Sequence, residues 1–150
     1  MDCCKPATPE ALPPVVIDCR SCGARGRAVK SITLDSLLVA PGSRPPGDYR
    51  FCPEPKCPVV YFHTTNGTEL DVSDLKIRVG QKETAEDRPI CYCFSHTAKE
   101  LTDDVRANGV STITQTIMAA CKRGEDRCPT TNPQGGCCLG NVGAVVRAAK

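Results

Sequence analysis

The chain has 150 residues, with three Phe, three Tyr and no Trp, but twelve Cys, 13 Pro and 12 Gly. So few large apolar side chains require crosslinks or metals beside hydrophobic burial, which argues against an enzyme built around a large aromatic-lined pocket. Nineteen basic against seventeen acidic residues leave a formal charge of +2, too balanced for an electrostatic grip on nucleic acid.

No apolar run is long enough to predict a membrane span, and Met1-Asp2-Cys3-Cys4-Lys5-Pro6 lacks the apolar centre of a secretory signal. The expected compartment is therefore the cytoplasm, where disulfides are scarce and closely spaced Cys points to metal. The cysteines fall into two groups around Gln81-Lys82-Glu83-Thr84-Ala85-Glu86-Asp87-Arg88, which carries five charges in eight residues. That pattern predicts a solvated linker over 81–89, closed by Pro89. It separates a metal-binding module at 17–80 from a second module at 90–150, with a Pro-rich flexible tail over 1–16. The expected class is α+β: a small zinc-ribbon-like β module followed by a small helical module.

In chain order, Val15-Val16-Ile17 leads into Asp18-Cys19-Arg20-Ser21-Cys22-Gly23. Two residues between thiols let both sulfurs face one ion, and Gly23 permits the tight turn behind them. A strand is expected over 29–32 and a short helix over 33–38, capped by Thr33. Tyr49-Arg50-Phe51 precedes Cys52-Pro53-Glu54-Pro55-Lys56-Cys57, and Val59-Val60-Tyr61-Phe62-His63 follows it as a second strand. Strand, knuckle and returning strand would present Cys19, Cys22, Cys52 and Cys57 to a tetrahedral Zn²⁺, with no open catalytic position. A redox dithiol at Cys19 and Cys22 is the alternative, but the β-α-β pattern of such motifs is missing. His63 is expected to be a partly exposed strand residue, with ligation as the lesser reading. Asn66-Gly67 signals a hairpin turn.

The second module opens on Ile90-Cys91-Tyr92-Cys93-Phe94. C-x-C holds its thiols too close for a disulfide but well for one metal or one iron of a cluster. Thr97-Ala98-Lys99-Glu100 is a capping box for a helix that Asn108-Gly109 ends. A second helix over 111–122 turns Ile113, Ile117, Ala120 and Cys121 inward, so Cys121 is expected in the core. Cys128 is expected in a loop. A last helix follows Gly135-Gly136-Cys137-Cys138-Leu139-Gly140, with Val142, Val145 and Val146 on its inner face.

A C-x-C before a capped helix, with later Cys before a final helix, resembles the [2Fe–2S] domain of bacterioferritin-associated ferredoxins. The later half departs from that pattern, because 34 residues lie between Cys93 and Cys128 and nine more before Cys138. The whole arrangement resembles more closely the N-terminal portion of CopZ-type copper chaperones, which join a zinc knuckle to such a cluster domain. Cys19-x2-Cys22, Cys52-x4-Cys57, Val79-Gly80-Gln81-Lys82-Glu83, Cys91-x-Cys93 and Asn132-Pro133-x-Gly135-x-Cys137-Cys138-Leu139-Gly140 carry that likeness over roughly 17–149. Such proteins usually continue into a copper-binding domain with an M-x-C-x-x-C motif. That motif does not occur in these 150 residues, so the resemblance supports zinc and iron–sulfur binding more than copper delivery.

The resemblance implies a [2Fe–2S] cluster on Cys91 and Cys93, with Cys128 as third ligand in preference to the helix-face Cys121. The fourth ligand is Cys138 or Cys137; a thiolate in the first turn of the last helix would meet free N–H groups, which favours Cys138. A second Cys₄ zinc site remains the alternative, since spacing does not separate iron from zinc. His96 is expected just before the helix cap, with a Rieske-like role as the lesser reading. Cys3 and Cys4 are candidates for capturing a soft ion such as Cu⁺ or Hg²⁺. The expected function is non-enzymatic: a one-electron carrier or metallochaperone in copper, or mercury, handling, serving a metal-transport or redox partner protein. The rival is an iron–sulfur or metal sensor that docks a component of a metal-resistance system.

Overall fold

The structure is a computed structural model and describes residues 14–150. Most of the expected N-terminal tail, with Cys3 and Cys4, lies outside the described residues. Val16 is already fixed, its N–H donating to Thr64 O at 2.7 Å.

The first half is an antiparallel meander of β1 (Arg27–Val29), β2 (Tyr49–Phe51), β3 (Val59–His63) and β4 (Glu69–Asp71), in that order across the sheet. Valines and aromatics suit the inner strand β3, and all five of its residues are buried. One cluster joins Val60 and Tyr61 to Tyr49, Phe51 and the leucines Leu34, Leu37 and Leu38. The other joins Val59 and Phe62 to Cys19, Cys52 and Cys57. A register shift between Val59 and Tyr61 breaks the simple alternation, so the neighbours Val60 and Tyr61 feed the same cluster. The Asn66-Gly67 turn lies where expected, with Gly67 at φ +81°.

Helix α1 (Ser31–Leu37) corrects two local expectations. The strand expected over 29–32 stops at Val29, and Lys30 occupies the N-cap position without a side-chain bond. Thr33 is not the cap. It is fully buried inside the helix, and its hydroxyl donates to Pro129 O at 2.6 Å. A long-range partner outweighed the local capping bond that its residue type favours.

In the second half, β5 (Pro89–Cys91) and β6 (His96–Thr97) form a small hairpin that delivers the C-x-C. Helix α2 (Ala98–Asn108) starts as expected: the Thr97 hydroxyl accepts from Glu100 N–H, and Gly109 ends the helix in the left-handed region. Ser111 caps α3 (Thr112–Lys122) in the same way. Leu101, Ile117 and Val142 of α5 (Leu139–Ala149) meet with Ile90 and Ala98 in the core of this half. Cys128, expected in a loop, opens the short helix α4 (Cys128–Thr131), whose first turn tolerates Pro129 because that N–H has no helical partner.

No residue of the segment 81–89 is buried, yet the segment is fastened rather than free. Arg78 pairs with Glu83 at 2.5 Å and Asp87 at 3.0 Å, and Lys82 donates to Glu54 O at 2.7 Å. The Tyr92 hydroxyl accepts from Gly80 N–H and donates to Arg78 O, both at 2.8 Å. Exposed pairs of this kind contribute little each, but together they hold the segment against both halves. Among the described residues, no helix is long and apolar enough to cross a membrane.

Candidate metal centres

The first centre forms where the 19–22 turn meets the end of β2 and the start of β3. The turn is closed by Gly23 N–H to Cys19 O at 2.7 Å and Cys19 N–H to Ala24 O at 2.8 Å, with Gly23 at φ +79°. Cys52 leaves β2 with its N–H bonded to Val60 O at 2.8 Å, and Cys57 precedes β3. The four sulfurs lie within 4.8 Å of one another, with Cys22 to Cys52 at 3.5 Å and Cys19 to Cys57 at 3.9 Å. A tetrahedral zinc with bonds of about 2.3 Å separates its sulfurs by about 3.8 Å, so the four thiols fit one ion. Cys19, Cys52 and Cys57 are buried, and Cys22 closes the site from the exposed side.

Electrostatics differ around this ring. Burial pushes the Cys52 thiol up to about 12 despite the Glu54 N–H, and burial also raises Cys57. Burial works against Cys22 as well, but the Ala24 N–H and the neighbouring thiols outweigh it and hold Cys22 below the ordinary thiol range. A divalent ion removes the protons from all four and turns buried, costly thiols into ligands.

His63 takes no part. It is buried rather than partly exposed, at 4% exposure, and packs edge-on to Tyr49. Its Nδ1 accepts from the N–H groups of Thr65 and Asn66, both at 3.1 Å. The proton therefore sits on Nε2, which donates to Pro46 O at 2.8 Å. Both ring nitrogens are used in holding the β3–β4 turn and the 46–48 loop.

The second group gathers Cys91, Cys93, Cys128 and Cys138. Cys93 and Cys128 Sγ are 3.4 Å apart, and Cys91 and Cys138 are buried together in one cluster. These thiols come together as two pairs, whereas the first four converge on one point. A dinuclear iron–sulfur cluster takes two thiolates at each iron, so two pairs fit such a group better than a single tetrahedral ion. The Arg127 N–H points at Cys93 Sγ at 3.1 Å, and the N–H groups of Phe94 and Cys138 favour charge on the Cys91 and Cys128 thiols. The Cys138 thiol, with the N–H groups of Phe94 and Cys93 and nearby His96, draws the Cys91 thiol down to about 6 against its burial. Cys138 is raised in turn by Cys91, and burial lifts Cys128 to about 12.

The adjacent pair at α5 divides. Cys138 is the N-cap residue rather than part of the first turn, is 3% exposed and faces Cys91. Cys137 is exposed. Cys121 is half-buried against the core of this half, as its helix face predicts. His96 Nδ1 lies 3.1 Å from Glu100 Oε2, a contact at the start of α2.

A four-cysteine centre on an antiparallel meander, with a helical annex beside it, defines a small zinc-binding α+β protein. A family described as a zinc binding domain of CopZ type matches residues 17–76. The copper chaperone CopZ of Archaeoglobus fulgidus is 34% identical over 121 residues, which is 80% of this chain and 57% of that protein. The chain thus spans little more than half the length of that relative. The X-ray structure of the A. fulgidus CopZ N-terminal domain superposes with a TM-score of 0.70 at 31% identity, covering 85% of this chain and 96% of that one. Residues 17–76 thus match a CopZ-type zinc-binding domain, and the fold is similar to that of the A. fulgidus CopZ N-terminal domain.

Proposed function

We propose that the protein handles copper as a non-enzymatic carrier, with a structural zinc on Cys19, Cys22, Cys52 and Cys57 and a [2Fe–2S] cluster on Cys91, Cys93, Cys128 and Cys138. The observation that carries the cluster reading is the gathering of the second four thiols, with Cys93 and Cys128 3.4 Å apart beside the Arg127 N–H, and Cys91 and Cys138 buried in one cluster. Similarity to a copper chaperone supports copper as the cargo. The zinc domain spans 17–76 of the metal-binding module at 17–80, and the proposed cluster module is 90–150.

When bound, the cluster supplies one-electron chemistry, the change that converts Cu²⁺ to Cu⁺. The chain's own residues set the conditions. Cys91, Cys128 and Cys138 are buried at 0%, 6% and 3% exposure, while Cys93 is only half-buried. Three ligands are thus shielded from water and one edge faces outward, where a donor, an acceptor or the ion itself can approach. The N–H groups of Arg127, Phe94 and Cys138 stabilise thiolate charge without moving a proton.

Anaerobic purification, metal analysis and EPR after dithionite test this reading. One Zn and two Fe per chain, with a one-electron signal on reduction, are expected. Addition of Cu²⁺ to the reduced protein should then yield one Cu⁺ per chain with loss of that signal. Two Zn and no iron in protein from its native host would overturn the cluster assignment.

A further inference from the structure

We propose that the zinc-bearing half is the template on which the 128–138 segment takes shape, with Thr33, Tyr61 and Gln81 as positioning residues for Cys128 and Cys138; this rests on the cluster reading above.

Apart from four-residue α4, the segment has no helix or strand of its own before α5. Its shape therefore depends on partners, and three come from outside it. The Thr33 hydroxyl of α1 donates to Pro129 O at 2.6 Å, and the Tyr61 hydroxyl of β3 donates to Pro133 O at 2.5 Å. Gln81 Nε2 donates to Asn132 Oδ1 at 3.0 Å. Asn132 is fully buried and folds the segment on itself: Oδ1 also accepts from Gln134 N–H at 3.1 Å, and Nδ2 donates to Gly136 O at 2.9 Å. Gln134 Nε2 donates to Cys137 O at 2.9 Å, which fixes the peptide that decides whether Cys137 or Cys138 turns inward.

The approach is close as well as bonded. Gly135 sits at φ +75°, and a Cβ there would lie 3.2 Å from Thr33 Oγ1 and 3.3 Å from a Val29 methyl. Strand β3 links the two centres directly. It begins two residues after Cys57, places Val59 and Phe62 against the zinc-site thiols, and sends Tyr61 to the segment. The state of the zinc site is thereby transmitted to the placement of Cys128 and Cys138.

The fold supplies a matched control. Tyr49 is 2% exposed against 0% for Tyr61, and it also donates to a proline carbonyl, Pro45 O at 2.7 Å, but within the first half. Tyr61→Phe and Tyr49→Phe remove the same group from the same sheet, and only the first releases the segment. Two readouts apply to full-length protein holding zinc. One is the alkylation rate of Cys128 and Cys138, located by mass spectrometry, with iron withheld. The other is the rate of iron release to a chelator in iron-loaded protein. A lost buried hydrogen bond is worth roughly fivefold in a local equilibrium. Tyr61→Phe should raise both rates by about that factor, and Tyr49→Phe should leave both near wild type with one zinc retained. Thr33→Val should act like Tyr61→Phe, and Thr33→Ser, which restores the hydroxyl, should return both rates towards wild type. Equal rates in Tyr61→Phe and Tyr49→Phe, together with no rescue by serine at position 33, would overturn the template role and leave the cluster reading standing. A chain that binds no iron yet shows the Tyr61-specific alkylation would overturn the cluster reading and support the template.

Discussion

Replacing Cys52 with Ser should be the most damaging single change at the zinc site. Cys52 is fully buried, sits where β2 ends, and lies among Cys19, Cys57, Val59 and Phe62. A serine hydroxyl stays protonated at neutral pH and makes a poor zinc ligand, and here it would be a polar group in a dry pocket. Structural zinc in small domains contributes about 10–16 kcal/mol, comparable with the ~5–15 kcal/mol that stabilises a whole domain. Losing about a quarter to a third of that, ~4 kcal/mol, corresponds to roughly a thousandfold weaker binding. At about 3–4 °C per kcal/mol for a chain of this size, the midpoint should fall by about 12–16 °C. Cys22 is exposed at the tip of its turn, so water can take its place, and Cys22→Ser should cost less than half as much. Zinc content, competition with a chromogenic chelator and thermal melting by circular dichroism measure these effects. A Cys52→Ser protein with one tightly held zinc and a midpoint within about 2 °C of wild type would refute Cys52 as a zinc ligand.

Cys138→Ala should abolish iron incorporation, while Cys137→Ala should keep two Fe and the visible spectrum, because Cys138 faces Cys91 and Cys137 faces solvent; the reverse pattern would move the ligand by one residue. Asp104 at the α2–α3 corner accepts from the Thr112 hydroxyl and Ile113 N–H, and these bonds hold its carboxyl below the ordinary carboxylate range. A depressed folded value means stability that is complete above the unfolded value of about 4 and is lost as pH falls through the folded value. Asp104→Asn should therefore flatten the acid side of a melting-temperature profile relative to wild type, and identical acid slopes would show that this corner does not contribute.

Much of the site was legible because its signals are local. C-x2-C followed by Gly and C-x4-C between two strand-like runs specify two half-sites within a few residues each, and the structure closes them around one point. Helix starts at Thr97 and Ser111 and the stop at Gly109 are likewise written in three or four neighbouring residues. The inward face of Ile117, Ala120 and Val142 follows from helical spacing alone.

What required the tertiary structure depends on segments far apart in the chain. Cys93 meets Cys128 across 35 positions, and which cysteine pairs with which is set by how α4 docks on α1. Thr33 reads as a cap from its neighbours but spends its hydroxyl on Pro129, 96 residues away. The charges of 81–88 read as a free linker, yet Arg78, Lys82 and Tyr92 fasten it from outside the run or across it. His63 reads as partly exposed, and burial under the 46–48 loop makes it a structural post. In each case the residue type was informative and its partner was not, because a hydroxyl, a thiol or an imidazole accepts whichever complementary group the fold brings within about 3 Å.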